Sequence, residues 1–192
     1  MIVRPTSLQD AYIIDLEKRE DPRGFFARGW CRREFEQHHL IADLVQANIS
    51  YNTMKGTLRG MHYQAEPHGE VKLIRCTRGR LYDVMIDLRL HSPTYGRWFG
   101  LELTADNRLM LYVPRGLAHG FQTLEDDTEA FYLVSEYYTP GAEWGVRYND
   151  PAFDITWPLL VTSISDKDRS WPDVSLNRSA TVDKETVTHG HH

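Results

Sequence analysis

The strongest chemical signal in the sequence is a short segment that combines two glycines, an arginine and a histidine. The segment reads Gly56-Thr57-Leu58-Arg59-Gly60-Met61-His62-Tyr63-Gln64. Glycines at this spacing let a backbone turn or approach a ligand closely. An arginine offers a planar fork of donors to a phosphate or carboxylate, and a histidine can transfer a proton near neutral pH. These residue types fit proton transfer on an anionic ligand, although a β-turn with a solvated arginine fits the segment alone equally well.

Length, composition and charge narrow the classes of protein. The 192 residues suit one domain, and 41% hydrophobic and 26% charged residues are ordinary for a globular protein. A net charge of −5 argues against nucleic acid as the main partner, but it leaves room for a local basic pocket that binds one small phosphorylated molecule. Two cysteines, Cys31 and Cys76, are too few for a disulfide framework. With no apolar run of membrane-spanning length and no signal-peptide core, the sequence predicts a cytoplasmic protein without a membrane partner.

The elements that must position these residues are short strands. From residue 71 onward, apolar and polar residues alternate with a period of two. Turn signals separate residues 71–76 from 81–88, residues 98–104 from 109–113, and residues 121–124 from 129–138, and we predict a hairpin at each of these three turns. Many short strands with such spacing predict an all-β fold, and a double-sheet jelly roll fits best.

The two ends of the chain carry weaker signals. Residues 11–16 predict a strand, and the spacing of Cys31, Phe35 and His39 predicts one short amphipathic helix over residues 31–41. Apolar periodicity disappears from Asp173 onward. We therefore predict a single domain over residues 1–172 and a loosely ordered tail over 173–192, whose terminal histidines receive no functional role.

Between residues 21 and 168 the chain resembles the dTDP-4-dehydrorhamnose 3,5-epimerase family, a metal-free branch of the cupins. The matching pieces occur in order along the chain: Asp21-Pro22-Arg23-Gly24-Phe25-Phe26, Gln46-Ala47-Asn48-Ile49-Ser50, Leu58 to Gln64, Lys72, Ser92-Pro93-Thr94-Tyr95-Gly96, Val113 to Phe121, Glu143-Trp144-Gly145, Asn149-Asp150-Pro151, Trp157-Pro158 and Ser165-Asp166-Lys167-Asp168. Each piece alone is weak, but this many in order is a strong signal. The resemblance implies a cupin-type jelly-roll β-sandwich with a few short helices.

The same resemblance implies roles for the catalytic residues. Inverting a carbon next to a ketone needs a base on one face, an acid on the other, and donors at the developing oxyanion. The family's base maps to His62, and the aspartate that orients it maps to Asp168, with Asp166 the weaker candidate. The resemblance maps the acid to Tyr132, and a phenol with an ordinary pKa of about 10 is protonated at neutral pH. Lys72 is expected to stabilise the enolate, and His119 to assist by hydrogen bonding.

The resemblance also implies a nucleotide site. The residues expected to contact the diphosphate are Arg23, Arg59 and Lys167, those around the base and sugar are Gln46 and Asn48, and those that stack on or line the base slot are Tyr138 and Phe26, with Glu143 as a further binding position. One position departs from the family pattern, since Arg28 stands where an acidic residue is usual. A basic side chain there would suit another carrier such as CDP instead of dTDP.

Most of these residues have an ordinary structural alternative. Tyr132 lies in an aromatic and aliphatic run, where core packing is the more common role, Lys72 could be an exposed lysine, and Asp168 could cap a turn. The arginines could be solvated surface charges. Pro114, Gly116 and His119 match the signature that supplies a metal ligand in other cupins, but the His-x-His pair expected upstream is missing, so we predict no metal.

The sequence therefore predicts an epimerase of a nucleoside-diphosphate 4-keto-6-deoxyhexose, acting at C3, at C5 or at both without a cofactor. Family members are homodimers that exchange N-terminal strands, and the apolar run over residues 11–16 is compatible with this role. Three alternatives stay open: an epimerase for a single carbon, a ketoisomerase that uses the same base and acid, and an inert cupin that only binds a sugar nucleotide. The presence of both His62 and Tyr132 argues against the inert protein.

Overall fold

Two sheets of short strands face each other, because nearly every strand presents apolar side chains on one face. The computed structural model describes residues 1–176. These residues form the strands β1 (Ile2–Pro5), β2 (Tyr12–Asp15), β3 (Arg19–Asp21), β4 (Gly24–Phe26), β5 (Gln46–Asn52), β6 (Leu58–Gln64), β7 (Lys72–Arg78), β8 (Arg80–Asp87), β9 (Trp98–Thr104), β10 (Met110–Val113), β11 (Leu117–Thr123), β12 (Thr128–Val134) and β13 (Glu143–Gly145), and the helices α1 (Arg32–Gln37) and α2 (Asp166–Arg169). The prediction of an all-β, cupin-type jelly roll with short helices is confirmed.

The strand order shows how the chain alternates between the sheets. The six-stranded sheet has the order β1-β2-β10-β7-β12-β5, and the five-stranded sheet has the order β13-β6-β11-β8-β9. Strands β3 and β4 form a separate hairpin. All pairs of strands within these sheets are antiparallel.

The main core lies between the two sheets, and smaller clusters cover their outer faces. Fully buried side chains of both sheets meet in the middle, among them Ile74, Leu81, Met85, Leu103 and Leu111. Helix α1 and the segment after it cover the outer face of the six-stranded sheet, and residues 146–157 cover that of the five-stranded sheet. Both faces of each sheet are therefore covered. A polar residue on an inner face lies inside the sandwich.

The three predicted hairpins are wrong. In each case the two strands belong to different sheets. Strands β7, β10 and β12 lie in the six-stranded sheet, and their predicted partners β8, β9 and β11 lie in the five-stranded sheet. The connecting turns are corners, and each contains one residue with positive φ: Gly79 at 73°, Arg108 at 56° and Asp127 at 52°. Turn residues report that a chain reverses direction, but they do not report which strand it pairs with next.

The N-terminal predictions hold in shorter form. The predicted strand over 11–16 is β2, which pairs with β1 and β10. The predicted helix over 31–41 shrinks to the six residues of α1, with Phe35 buried against the outer face of the sheet. It ends early because His39 adopts φ of 57°, a left-handed conformation that cannot continue a right-handed helix.

The C-terminal part that is described stays in contact with the domain. Val174 donates its backbone N–H to Asp150 Oδ2 at 2.7 Å, and Leu176 packs in the outer cluster of the five-stranded sheet. The predicted domain boundary at residue 172 stays a prediction, because the rest of the predicted tail, residues 177–192 with the terminal histidines, lies outside the described residues. Within residues 1–176, the helices are too short to cross a membrane.

Candidate active site

Alternation along five strands brings most of the predicted catalytic residues to the inner faces of the sandwich. His62 of β6 lies directly opposite His119 of β11 in the five-stranded sheet. In the six-stranded sheet, Tyr132 of β12 is flanked by Asn48 of β5, and Lys72 of β7 pairs with the end of β12. His62, His119, Lys72 and Tyr132 all line one cavity of about 790 Å³ between the sheets. The structure thus brings together side chains that are up to 70 residues apart in the chain.

A short ion-pair contact fixes the orientation of the histidine. His62 Nε2 lies 2.5 Å from Asp168 Oδ1, and Asp168 Oδ2 accepts the backbone N–H of Gly60 at 3.1 Å. Asp168 belongs to α2, whose N-terminus is capped by Ser165, and α2 reaches the site because Thr57 and Ser163 form a parallel β-bridge. The geometry selects Asp168, since Asp166 is exposed.

The ionisation of Asp168 decides which nitrogen of His62 is free. Burial by itself would raise the pKa of Asp168, but hydrogen bonding and charge from His62, with help from Gly60 and Ser165, hold that pKa below its usual value. An ionised carboxylate can only accept hydrogen bonds, so Nε2 carries the hydrogen in the neutral ring. The lone pair then lies on Nδ1, which is the nitrogen that can act as a base.

A second carboxylate lies on the Nδ1 side of the ring. Glu143 Oε1 is 3.9 Å from His62 Nδ1, while Glu143 Oε2 pairs with Lys167 and accepts the Tyr138 hydroxyl at 3.4 Å. Hydrogen bonding to Glu143 raises the pKa of Lys167. Glu143 and Tyr138 line a smaller cavity of about 300 Å³ together with Gln46 and Asn48. His62, Lys72 and Tyr132 line both cavities, which makes them the junction between the two.

Tyr132 combines a structural position with an accessible phenol. Its ring packs against the main core, as its apolar surroundings in the sequence suggested. Its side chain also lines both cavities. Burial and the negative charge of Glu70 raise the pKa of Tyr132, against a smaller opposite effect of Arg59. The phenol is therefore protonated at neutral pH, as a proton donor must be.

Lys72 and His119 each have a carboxylate partner that sequence reasoning missed. Lys72 Nζ lies 3.0 Å from Glu70 Oε1, and His119 Nε2 lies 2.8 Å from Asp83 Oδ1. Asp83 is fully buried, its other oxygen has no hydrogen-bond partner, and burial raises its pKa against the opposing effects of His119 and Lys72. The alternation in β8 contained the signal, because Asp83 shares the inner face with Leu81 and Met85.

The predicted nucleotide-binding residues fall into two groups. Arg59 and Lys167 line the larger cavity, and Arg59 Nε donates to Asn52 Oδ1 at 2.6 Å. Gln46, Asn48, Tyr138 and Glu143 line the smaller cavity. These six residues are therefore positioned to bind a ligand that extends from the junction.

Three predicted binding residues do not reach either cavity within this copy of the chain. Arg23 lies at the tip of the β3–β4 hairpin and pairs with Asp21, and the Phe26 side chain on β4 is 67% exposed. Arg28 Nη1 pairs with Glu34 at 2.9 Å, beside α1. The hairpin exposes Arg23 and Phe26 to solvent, and Arg28 lies after the hairpin, away from the junction of the cavities.

The prediction of a metal-free site stays a prediction. Within residues 1–176, no group of three histidine, cysteine, aspartate or glutamate side chains is arranged to hold a metal ion. Both His62 and His119 direct Nε2 at an aspartate of their own.

The fold and the site together define a class of protein. A jelly roll that carries a histidine–aspartate pair on one sheet and a protonated phenol with a lysine on the other can move protons at the two faces of a bound molecule. This arrangement of side chains is that of an acid–base isomerase.

Comparison with known proteins identifies the family within this class. The family model for dTDP-4-dehydrorhamnose 3,5-epimerase matches residues 5–175. The chain is 41% identical over 175 residues to the dTDP-4-dehydrorhamnose 3,5-epimerase of Sinorhizobium fredii, covering 91% of this chain and 90% of that protein. The chain belongs to the dTDP-4-dehydrorhamnose 3,5-epimerase family, and it is an isomerase that acts on carbohydrates.

Two solved structures extend the comparison. The dTDP-4-dehydrorhamnose 3,5-epimerase of Bacillus anthracis, with TDP and PPi bound, is 40% identical and superposes with a TM-score of 0.86 over 90% of this chain and 99% of that chain. A 3′-monoepimerase from Streptomyces bikiniensis in complex with dTDP-quinovose is 33% identical, with a TM-score of 0.81 over 88% of this chain and 86% of that one. Relatives of this fold thus include enzymes named for one carbon and enzymes named for two.

Proposed function

We propose that the chain inverts both C3 and C5 of a dTDP-linked 4-keto-6-deoxyhexose, in the synthesis of a dTDP-L-rhamnose-like sugar. The observation that carries this proposal is the placement of base and acid on opposite sheets. His62 projects from the five-stranded sheet and Tyr132 from the six-stranded sheet, and both line the same two cavities. A flat enolate held between them can lose a proton from one face and gain one on the other.

The proposed reaction begins at His62. Its Nδ1 takes the proton from a carbon next to the C4 ketone, so that the C–H bond breaks, an N–H bond forms, and the electron pair becomes an enolate. Asp168 stabilises the imidazolium through Nε2. The Lys72 ammonium and His119 lie in the same cavity and stabilise the enolate oxygen.

The reaction ends at Tyr132. The phenol gives its proton to the enolate carbon on the face opposite His62, and the new C–H bond leaves that carbon inverted. The raised pKa of Tyr132 keeps the proton available at neutral pH. Exchange with solvent then restores the neutral histidine and the phenol before the second carbon reacts.

The nucleotide is proposed to occupy the two cavities beyond the reacting sugar. Arg59 and Lys167 supply positive charge for a diphosphate, and Tyr138 is an exposed aromatic ring next to Gln46 and Asn48 that suits a stacked base. We favour dTDP as the carrier because the Bacillus anthracis relative was crystallised with TDP. Arg28, which suggested CDP, pairs with Glu34 outside both cavities in this copy of the chain.

A homodimer would account for the residues that do not reach the site. The β3–β4 hairpin exposes Phe25 and Phe26 and has Arg23 at its tip, and exposed aromatic and arginine residues are typical of interfaces. We propose that this hairpin reaches the site of a second copy. Localisation in the cytoplasm, where the sequence predicts the protein to reside, remains a proposal as well.

The test is incubation in deuterated water with the dTDP- and CDP-linked 4-keto-6-deoxyglucose, followed by NMR of the sugar. We expect deuterium at C3 and C5 of the dTDP sugar with inversion at both carbons. If neither C3 nor C5 exchanges its proton, with the dTDP sugar or with the CDP sugar, the proposal is overturned. Deuterium without inversion would instead indicate a binding protein with residual base activity.

The second candidate is an epimerase for C3 alone. This alternative is supported by the 3′-monoepimerase of Streptomyces bikiniensis, which shares the fold at 33% identity. In the same NMR experiment, it predicts deuterium and inversion at C3 and an unchanged C5. A ketoisomerase would be recognised by a carbonyl that moves from C4 to C3.

A further inference from the structure

One charged residue of the site has no role in the mechanism described above. Glu70 immediately precedes β7 and lines the smaller cavity together with His62, Lys72 and Tyr132. Its Oε1 lies 3.0 Å from Lys72 Nζ, and each of these two side chains is only 13% exposed. An ion pair with this little exposure is weakly screened by solvent, so that its charges act on the groups around it.

The backbone holds Glu70 on the inner side of the sheet. Val71 donates its N–H to Ser135 Oγ at 2.8 Å, and Ser135 donates its N–H to the Val71 carbonyl at 3.0 Å. The Val71 side chain is fully buried in the outer cluster of the six-stranded sheet. Because side chains alternate along an extended chain, the neighbours Glu70 and Lys72 are directed to the opposite, inner side. These two hydrogen bonds therefore tie the segment that carries Glu70 to the end of β12, the strand that carries Tyr132.

We propose that Glu70 is a positioning residue of the active site, which holds the Lys72 ammonium at the reacting centre and places a negative charge beside the phenol of Tyr132. The proposal deepens the proposed epimerase function and rests on it for the reaction that Tyr132 serves. Glu70 does not touch the reacting atoms in this account. It acts through the two groups beside it.

Several charged and titratable side chains share the two cavities with the phenol of Tyr132. The cationic and titratable side chains that share the cavities with Tyr132 are Arg59, His62, Lys72, His119, Lys167, Tyr51, Tyr63 and Tyr138, and the other carboxylates are Asp168 and Glu143. Asp168 pairs with His62, and Glu143 pairs with Lys167. The largest charge effect on the pKa of Tyr132 comes from Glu70, which raises it, and Arg59 opposes it. Glu70 is therefore the carboxylate whose removal should be felt at the phenol.

The decisive experiment removes the charge and keeps the shape. In Glu70→Gln, we expect the phenol of Tyr132 to lose its proton at a lower pH than in the wild type, because a negative neighbour no longer disfavours the phenolate. The titration is followed by NMR of the enzyme with ¹³C-labelled tyrosine rings, and the signal is assigned by its loss in Tyr132→Phe. This measurement needs no substrate, so it stays informative even if the proposed sugar is not turned over.

Kinetics test the consequence for catalysis. The basic limb of the kcat/KM profile should move to lower pH by the same amount in Glu70→Gln, and kcat should fall about 10- to 100-fold while KM changes little, because the reacting groups are less well placed. Glu70→Asp should retain the phenol titration and still lose kcat, because the charge stays but the shorter side chain no longer reaches Lys72. This second variant also keeps the proposal testable if the glutamine variant folds poorly.

The matched control is Glu66→Gln. Glu66 is an exposed carboxylate in the same connection between β6 and β7, and it lines neither cavity. Its replacement should change neither the phenol titration nor the pH profile. An unchanged Tyr132 titration in Glu70→Gln, or a shift of equal size in Glu66→Gln, would overturn the assignment of Glu70.

Discussion

At the scale of single residues, the site consists of paired side chains. His62 has Asp168, His119 has Asp83 and Lys72 has Glu70, and each contact is 3.0 Å or shorter. A partner of opposite charge offsets part of the cost of burying an ionisable group, and a fixed hydrogen bond restricts its orientation. Tyr132 has no such partner among these pairs. Its phenol is therefore left free to face the ligand.

The residue-scale prediction for the base concerns His62→Asn. Loss of the imidazole should lower deuterium incorporation at C3 and C5 by about 10²–10⁴-fold, since a positioned general base is missing. The affinity for dTDP, measured by calorimetry, should stay within a few-fold of wild type, because His62 is not among the side chains proposed to contact the nucleotide. Exchange at the wild-type rate in this variant would leave His62 a structural residue.

The prediction for the acid concerns Tyr132→Phe, which removes the hydroxyl and keeps the ring. Exchange through His62 should continue while inversion falls steeply, because the proton can return only from the original face. Packing of the ring against the core should survive with a loss of about 1 kcal/mol in the free energy of unfolding. NMR reports exchange and inversion on the same sample. Inversion close to the wild-type rate would assign the acid to another group.

At the scale of elements, two facing glycines set the spacing between β6 and β11. A Cβ on Gly120 would lie 2.6 Å from the Arg59 carbonyl oxygen, and a Cβ on Gly60 would lie 2.6 Å from the Gly120 Cα. The register of the two strands shifts at this point, between His119 and Phe121. The close approach places His62 opposite His119, so the glycines belong to the site although they have no side chains.

We therefore predict that Gly120→Ala damages both stability and activity. The added methyl group meets backbone atoms that cannot move aside, so the free energy of unfolding should fall by about 1–3 kcal/mol, measured by urea denaturation. Exchange at C3 and C5 should slow as the two histidines move apart. Gly29→Ala is the control, because a Cβ at Gly29 meets nothing within 4 Å. Equal behaviour of the two variants would show that the strand contact tolerates a methyl group.

The loop between the paired strands β8 and β9 contains residues 92–96, a segment that matches the family but lies outside the active site. Asp87 is fully buried and accepts hydrogen bonds from Arg89, from Ser92 Oγ at 2.5 Å and from Thr94 Oγ1 at 2.6 Å. Burial by itself would raise the pKa of Asp87, but these hydrogen bonds outweigh it and lower that pKa. Ser92 and Thr94 thus stabilise the loop between β8 and β9.

The buried carboxylate of Asp87 in this loop gives a prediction with a defined pH dependence. Asp87→Asn should lose about 3 kcal/mol of unfolding free energy at pH 7, because a buried charged network is broken. A carboxyl group whose pKa is lowered by folding stabilises above its unfolded pKa of about 3.9, and this contribution is lost as the pH falls toward the folded value. The gap between wild type and variant should therefore narrow by about 1 kcal/mol between pH 5 and pH 3 in urea titrations. The exposed Asp106→Asn is the control, and a gap that stays constant down to pH 3 would contradict the role of the charge.

At the scale of the whole molecule, the open question is what the β3–β4 hairpin contacts. The prediction of a homodimer makes this testable by mixing two defective variants, His62→Asn and Arg23→Ala. If the hairpin completes a partner's site, each mixed dimer has one intact site, and subunits mixed in equal amounts should recover about a quarter of wild-type activity. Sedimentation gives the oligomeric state of each sample. A monomer, or mixtures no more active than the sum of their components, would place Arg23 outside the site.

The sequence predicted the composition of the site better than the path of the chain. The family resemblance, and not the local pattern, pointed to His62, Lys72 and Tyr132, and the structure brings these three side chains to one cavity. The three turns at Gly79, Arg108 and Asp127 were misassigned as hairpins, because pairing between distant strands depends on the whole sandwich. Glu70 and Asp83 were missed for a related reason, since an acidic residue in a strand looks solvated until its partner is known.

The division of base and acid between two sheets has a consequence for the interior of the protein. Sheets in a sandwich are held about 10 Å apart by the side chains between them. Here the spacers include Met85 and Leu111, and the same gap determines how far His62 lies from Tyr132. A core substitution that thickens or thins the sandwich changes the reach of both proton transfers without touching the ligand. The hydrophobic core therefore sets the distance between the proposed base and the proposed acid.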